Sequence, residues 1–261
     1  MVKSINEEFF DTWTEESAYV LGYIWADGCL TKNKNNYRVS FCSNDKEIVE
    51  KINRVMKSEY AISEYKGSYS TGFSKPRMIK KLRSFGLIER KSLDKKFPVG
   101  IPSEFLRHFV RGYFDGNGYF TYEAWKNGKR RLISGFATGS GVFAEQLSGV
   151  VHELGMKHAN VQHIDRRKSG RGQYYQMRYY QRDTVKLADV MYKDATIYME
   201  RKKKLYEECS FAKAGEKALA FLFVLTVRKR EVGSILLRKI RRVVTVWHEN
   251  RNGGRGDFVE V

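Results

Sequence analysis

With 261 residues, a formal net charge of +18 and 42% hydrophobic content, the chain has apolar material for one large or two small folded units and is not a disordered polyelectrolyte. That charge exceeds what solubility needs and points to a polyanionic partner, with nucleic acid the first candidate and an anionic membrane surface the second. The longest apolar run, ALAFLFVLTV at 218–227, is too short for a bilayer, which takes about twenty residues, and MVKSINEEFFDTW lacks the apolar core of a signal peptide, so an intracellular, soluble protein is expected.

In chain order, the first predicted element is a helix ending in AYVLGYIWADG, from Ala18 to Gly28. YRVSFCSNDKEIVEKINRVM then reads as strand followed by helix, with Ile48, Ile52 and Val55 at helical spacing. YAISEYKGSYSTGF gives two short strands about a Gly-containing basic turn, and a helical segment ending in IERKSL closes the half. FPVGIPSEF, with Pro98 and Pro102, is a short stiff connector in which Ser103 is placed to cap the next helix.

The same order then returns. RHFVRGYFDGNG is a second glycine-terminated helix, and RLISGFATGSGVFAEQLSGVVHELGM is strand then helix, with Phe143, Leu147, Val150 and Leu154 on one face. ANVQHIDRRKSGRGQYYQMRYY supplies two strands about a basic turn, and a helical segment ends in MERKKKL. Each half reads helix, two strands, helix, two strands, helix, which makes the fold class α+β with two pseudo-symmetric halves at 1–97 and 98–208. Residues 209–261 have no counterpart. There Leu236, Ile240, Val243 and Trp247 fall on one helical face, and ENRNGGRGDFVEV reads as a flexible tail. Cys29, Cys42 and Cys209 show no zinc-type spacing and are expected to be reduced, buried and structural.

Residues four apart share a helix face, so Gly22 and Ala26 form one small-residue strip and Gly112 and Gly116 another. A glycine inside a helix costs up to about 1 kcal/mol relative to alanine, and its recurrence in both copies suggests that close helix contact is what it permits. If the two helices pack in pseudo-twofold fashion, Asp27 and Asn117 end side by side, and two oxygen ligands meet at one end of the pair.

VLGYIWADG at 20–28 and VRGYFDGNG at 110–118 resemble the two copies of the LAGLIDADG homing endonuclease motif, and the repeated α-β-β-α-β-β-α order is similar to that family's fold over roughly 14–207. The resemblance implies a monomer whose two halves form a curved basic saddle in the major groove of double-stranded DNA with a long target site. It also implies that the paired motif helices bring acids over the minor groove for hydrolysis with Mg²⁺ or Mn²⁺. The ligand position is Asp27 in the first motif and Asn117 in the second, with the carbonyls of Ala26 and Gly116 assisting. An Asn lends an oxygen without charge, so the second metal site is expected to be weakened. Asp115 lies two residues earlier on the helix, turned about 200° away. The family's basic residues near the scissile phosphates correspond by repeat position to Lys91 and Lys202.

Strand alternation places Tyr37, Val39 and Phe41 inward and Arg38 and Ser40 outward, and puts Gln176 and Arg178 on one face as base-reading candidates. Lys66, Arg130, Arg131, Arg166, Arg167, Lys168 and Arg171 lie in or beside turns, where phosphate contact is the commoner role. His108, within the second motif helix, is expected to pack or to face phosphate rather than act as a base. The leading function is therefore a homing endonuclease, of the kind encoded in introns. The alternative is a catalytically impaired nucleic-acid-binding protein, either an intron RNA maturase or a DNA-binding regulator.

Overall fold

A computed structural model describes residues 3–207 apart from 35, 90, 125–129 and 170–171. Within them the chain folds as α1 (Glu15–Asp27), β1 (Gly28–Asn33), β2 (Asn36–Ser43), α2 (Lys46–Val55), β3 (Ser63–Tyr65), β4 (Ser68–Phe73), α3 (Pro76–Ser84) and the single turn α4 (Lys91–Asp94). The series then repeats as α5 (Ser103–Asn117), β5 (Gly118–Ala124), β6 (Arg130–Thr138), α6 (Gly141–Glu153), β7 (Gln162–Asp165), β8 (Gln173–Tyr180) and α7 (Gln181–Tyr192), and residues 200–207 are again helical. The expected C-terminal helix and tail lie outside the described residues, as does Cys209.

Both sheets are four-stranded and antiparallel, with the orders β1-β2-β4-β3 and β5-β6-β8-β7. Identical topology from two stretches of one chain is the structural form of the sequence repeat. In each sheet the inward face is apolar, through Val39, Phe41 and Phe73 in the first and Phe136, Met177 and Tyr179 in the second. Helices α2 and α6 cover these faces, burying Ile48, Val49 and Ile52, and Phe143, Leu147 and Val151, while Val55, Val150 and Leu154 of the expected faces are only partly buried. The opposite face carries Arg38 and Ser40 in the first sheet and Arg131 and Arg178 in the second.

Helix α1 starts at a capping box. The Ser17 N–H donates to Thr14 Oγ1 at 3.1 Å and the Thr14 N–H donates to Ser17 Oγ at 2.9 Å. It is buried continuously from Ser17 to Ala26, because a helix apolar on every side belongs in a core. Helix α5 has no such device: Pro102 is its N-cap, and Ser103 is the first helical residue rather than the expected cap.

The cysteine expectation also changes. Cys29 and Cys42 are free and exposed, because they share the outward face of the first sheet with Arg38 and Ser40, Cys29 standing directly across from Ser40. Low polarity alone does not decide which face of a strand a cysteine takes.

Candidate metal site and nucleic-acid interface

Helices α1 and α5 meet backbone to backbone through their glycines. A Cβ added at Gly22 would lie 2.1 Å from the Phe109 carbonyl oxygen, and one added at Gly112 would lie 2.0 Å from the Tyr19 carbonyl oxygen. One turn further on, a Cβ at Gly116 would lie 2.3 Å from the Ala26 Cβ and 3.1 Å from Asp27 Oδ2. The two strips expected from the sequence, Gly22 with Ala26 and Gly112 with Gly116, therefore form the contact, and they bring the Asp27 carboxylate against the end of the partner helix. Asn117 reaches back, its side-chain amide donating to the Ala26 carbonyl at 3.3 Å. The two motif ends thus cross over.

The field of Asp27 is felt nearby. Burial first, and the Asp27 carboxylate second, push the Tyr23 hydroxyl and the Cys42 thiol upward in pKa. Among the described residues no group of three or more His, Cys, Asp or Glu side chains converges to hold a metal ion. What the helix contact brings to this end is the Asp27 carboxylate beside Gly116 and the Asn117 carboxamide against the Ala26 carbonyl. One carboxylate with spare positions for water and phosphate oxygen suits Mg²⁺ or Mn²⁺ better than a closed, thiolate-rich or imidazole-rich site would.

Asp115 is excluded from that set. It is fully buried and accepts from the Tyr19 hydroxyl at 2.7 Å, the Tyr192 hydroxyl at 2.5 Å and the Met199 N–H at 2.8 Å. Burial raises its pKa, and Lys202 together with these donors opposes that rise. Tyr19 comes from the first half and Tyr192 from the second, so this carboxylate fastens the two halves together. A parallel network surrounds Arg111, which donates to Glu15 at 2.7 Å and to the carbonyls of Ile197 and Met191 at 2.9 Å each.

The lysines differ from expectation. Lys202 is 3% exposed and turned inward, donating to the carbonyls of Phe114 at 2.6 Å, Asp115 at 2.9 Å and Gly118 at 2.6 Å. A cation on the orphan carbonyls of a helix C-terminus complements both the hydrogen-bond deficit and the dipole. Burial lowers its pKa to about 8, against the opposing pull of Asp115. It supports the motif from beneath instead of facing phosphate.

The lysine serving the first motif in this way is Lys95, 4% exposed, which donates to the Trp25 carbonyl at 3.2 Å and to the Tyr113 hydroxyl at 3.0 Å. Trp25 and Asp115 hold equivalent motif positions, so Lys95 is the structural counterpart of Lys202. Lys91 opens the short helix α4, and its side chain lies outside the described residues.

On the outward sheet faces, Arg38 is exposed, Ser40 is half-buried, and both stand beside Thr31 and Cys29 of β1. Gln176 departs from the base-reading expectation. It is only 5% exposed, because the Tyr119 ring lies across the sheet over Gly135 and its hydroxyl takes a hydrogen bond from the Gln176 amide. Arg178 remains on the surface beside Glu123 at 3.8 Å, and Arg131 donates to the same Glu123 through Nε at 2.8 Å.

Arg167 is held by Asp165 at 2.7 Å, Arg166 lies over the Tyr174 ring, and Lys168 occupies the exposed turn between β7 and β8. Lys66, at φ 51 with Gly67 at φ 78, forms the tight turn between β3 and β4. Arg171 and the Arg130 side chain lie outside the described residues. His108 is buried beside Arg111 and Glu15, a packing role consistent with its place in the helix.

Known proteins carry the same architecture. A family model described as LAGLIDADG-like domain matches residues 14–72 and 104–192. No curated protein matches the sequence. Among solved structures, the chain is similar to the LAGLIDADG homing endonuclease I-GzeII in complex with its DNA target, with 12% identity and a TM-score of 0.55 over 94% of this chain and 100% of that one. It is also similar to the LAGLIDADG meganuclease I-AabMI bound to uncleaved DNA, with 14% identity and a TM-score of 0.53 over 77% of this chain and 91% of that one. A third likeness is to a variant of I-DmoI in complex with its target DNA in the presence of manganese, with 19% identity and a TM-score of 0.51 over 69% of this chain and 96% of that one. At these identities the likenesses establish a shared fold.

Proposed function

Because the chain belongs to the LAGLIDADG family, we propose that it is a homing endonuclease, a site-specific hydrolase of DNA phosphodiesters that works with a divalent metal ion. The observation that carries this reading is the reciprocal glycine contact of α1 and α5, which brings Asp27 Oδ2 to 3.1 Å from the Cβ position of Gly116 at the shared end of the helices. In this reading the two outward sheet faces receive the major groove of double-stranded DNA, so that the helix ends meet the backbone between them. Both motifs are in one chain, so a monomer suffices.

Asp27 would hold Mg²⁺ or Mn²⁺ with help from the Ala26 and Gly116 carbonyls, and Asn117 would lend a neutral oxygen on the other side. A divalent cation held there would supply Lewis-acid chemistry for water activation and phosphate charge. Lys95 and Lys202 act as positioning residues, holding the last turn of each motif helix through its carbonyls.

Asn117 also supports a second reading. With a single carboxylate between the two positions, one strand is cut faster than the other, and in the limit the protein nicks or only binds, as an intron maturase or a DNA-binding regulator would. Selecting from a randomised duplex library in Mg²⁺ with separately labelled strands tests both readings. Cleavage at one long site supports the endonuclease. Sequence-specific binding without scission in Mg²⁺ or Mn²⁺ supports the binder.

A further inference from the structure

The second sheet carries, on its proposed DNA face, a group of side chains already tied to one another. Cross-strand register places Tyr119, Gly135 and Arg178 in one row and Glu123 with Arg131 in another, all on the same side of the sheet. Arg131 donates to Glu123, Arg178 approaches the same carboxylate, and Arg178 also interacts with the Tyr119 and Tyr180 hydroxyls. Gly135 makes this possible, since a Cβ there would lie 2.5 Å from the Tyr119 hydroxyl and block the ring from crossing. Resting on the DNA-binding reading above, we propose that Tyr119 and Glu123 are positioning residues that hold Arg178 and Arg131 as a fixed guanine reader, and that the second half thereby sets most of the base specificity.

The charge pattern argues for this over phosphate gripping. A carboxylate on a surface that meets DNA repels phosphate and halves the net charge of the two arginines, so it opposes simple affinity. What Glu123 supplies is orientation. A guanidinium is a planar fork that recognises O6 and N7 of guanine only when correctly aimed, and an arginine restrained before binding loses less side-chain freedom on contact. The first sheet has no such device: Thr31, Arg38 and Ser40 share its outward face, and no salt bridge among the described residues involves that face.

The test takes the site selected by the wild type, with every single-base variant of it, and measures binding by Tyr119→Phe and Glu123→Gln. Both substitutions keep shape and remove one polar function. We expect preference at one or two guanine positions, all in one half of the site, to fall about tenfold, with the other half unchanged. Glu123→Gln should also bind non-cognate DNA more tightly, with a salt slope steeper by about one. Unchanged thermal unfolding with altered base preference separates aiming from mere stability. Full retention of every base preference by both variants overturns the inference alone, whereas a wild type that binds all sequences equally overturns the DNA-reading premise as well.

Discussion

The side-chain amide of Asn117 donates a hydrogen bond to the carbonyl of Ala26 in the opposite motif helix at 3.3 Å. Asn117 therefore has a structural task that an acid cannot perform, because a carboxylate has no proton to donate at neutral pH. Asn117→Asp sets a second negative charge beside Asp27 and against a carbonyl oxygen. The metal-free variant should lose about 1–2 kcal/mol of stability, recovered as Mg²⁺ is added, and cleavage of the slower strand should rise. Thermal unfolding with and without Mg²⁺, together with strand-resolved rates, checks this. Stability and rates identical to the parent would remove residue 117 from the site.

Asp27→Asn is nearly isosteric and removes only charge. Cleavage of both strands should fall by at least about a hundredfold while DNA affinity in Ca²⁺ stays within about twofold, since the loss is confined to the metal ligand. A variant that cuts at the parental rate would show that the carboxylate beside Gly116 is not the metal ligand.

Gly22→Ala and Gly112→Ala probe the helix contact. The added methyl would stand about 2 Å from a carbonyl of the other helix, and backbone cannot move aside cheaply. Each should cost at least about 1–3 kcal/mol in urea unfolding, and the double variant less than the sum, because the first substitution already parts the helices.

The repeat made much of this arrangement legible from sequence. Small residues spaced four apart in both copies, Gly22 with Ala26 and Gly112 with Gly116, announce the close helix pair, and strand alternation correctly turns Val39 and Phe41 inward and Arg38 outward. Alternation names a face but not what covers it, so it could not foresee Tyr119 lying over Gly135 and burying Gln176. Nor could the recurrent Glu-Arg-Lys triplet identify the supporting lysines. The lysine that reaches the first motif stands just past the single turn α4, four residues beyond the triplet, so the counterpart of Lys202 is Lys95 rather than Lys91. Cys42 stands among outward residues for the same reason as Arg38, a matter of parity rather than polarity.

Lys202→Met preserves length and packing but removes the ammonium from three carbonyls, of which that of Phe114 still accepts from the Gly118 N–H, and takes from Asp115 the buried cation that opposes its rise in pKa. A loss of about 2–4 kcal/mol in unfolding free energy is expected, since unmet buried acceptors are costly. Arginine should not rescue it, the guanidinium being too broad for three converging oxygens. If Lys202→Met instead unfolds like the parent yet loses cleavage, Lys202 touches substrate after all.

His108 should contribute to the acid limb of stability. Its ring is buried between Arg107 at 3.2 Å and Arg111 at 3.0 Å, with Glu15 at 4.0 Å, and burial followed by the Arg111 charge lowers its pKa to about 4 from an ordinary 6.5. Between those values the unfolded chain binds a proton that the folded chain refuses, so stability should fall as pH drops from about 6.5 towards 4. A tenfold difference in proton affinity between the two states is worth about 1.4 kcal/mol, which bounds the effect at roughly 3 kcal/mol. Glu15 has its own pKa lowered despite burial, by the Thr196 N–H and the Arg111 charge, and adds a loss of the same sign at lower pH, whereas the raised pKa of Asp115 acts in the opposite sense. His108→Gln separates these contributions, because it keeps a hydrogen-bonding side chain that cannot be protonated. Unfolding free energies should then be nearly flat from pH 6.5 to 5, where the parent declines. Parallel curves for parent and variant across that range would mean that His108 titrates normally and that the arginines beside it do not hold it neutral.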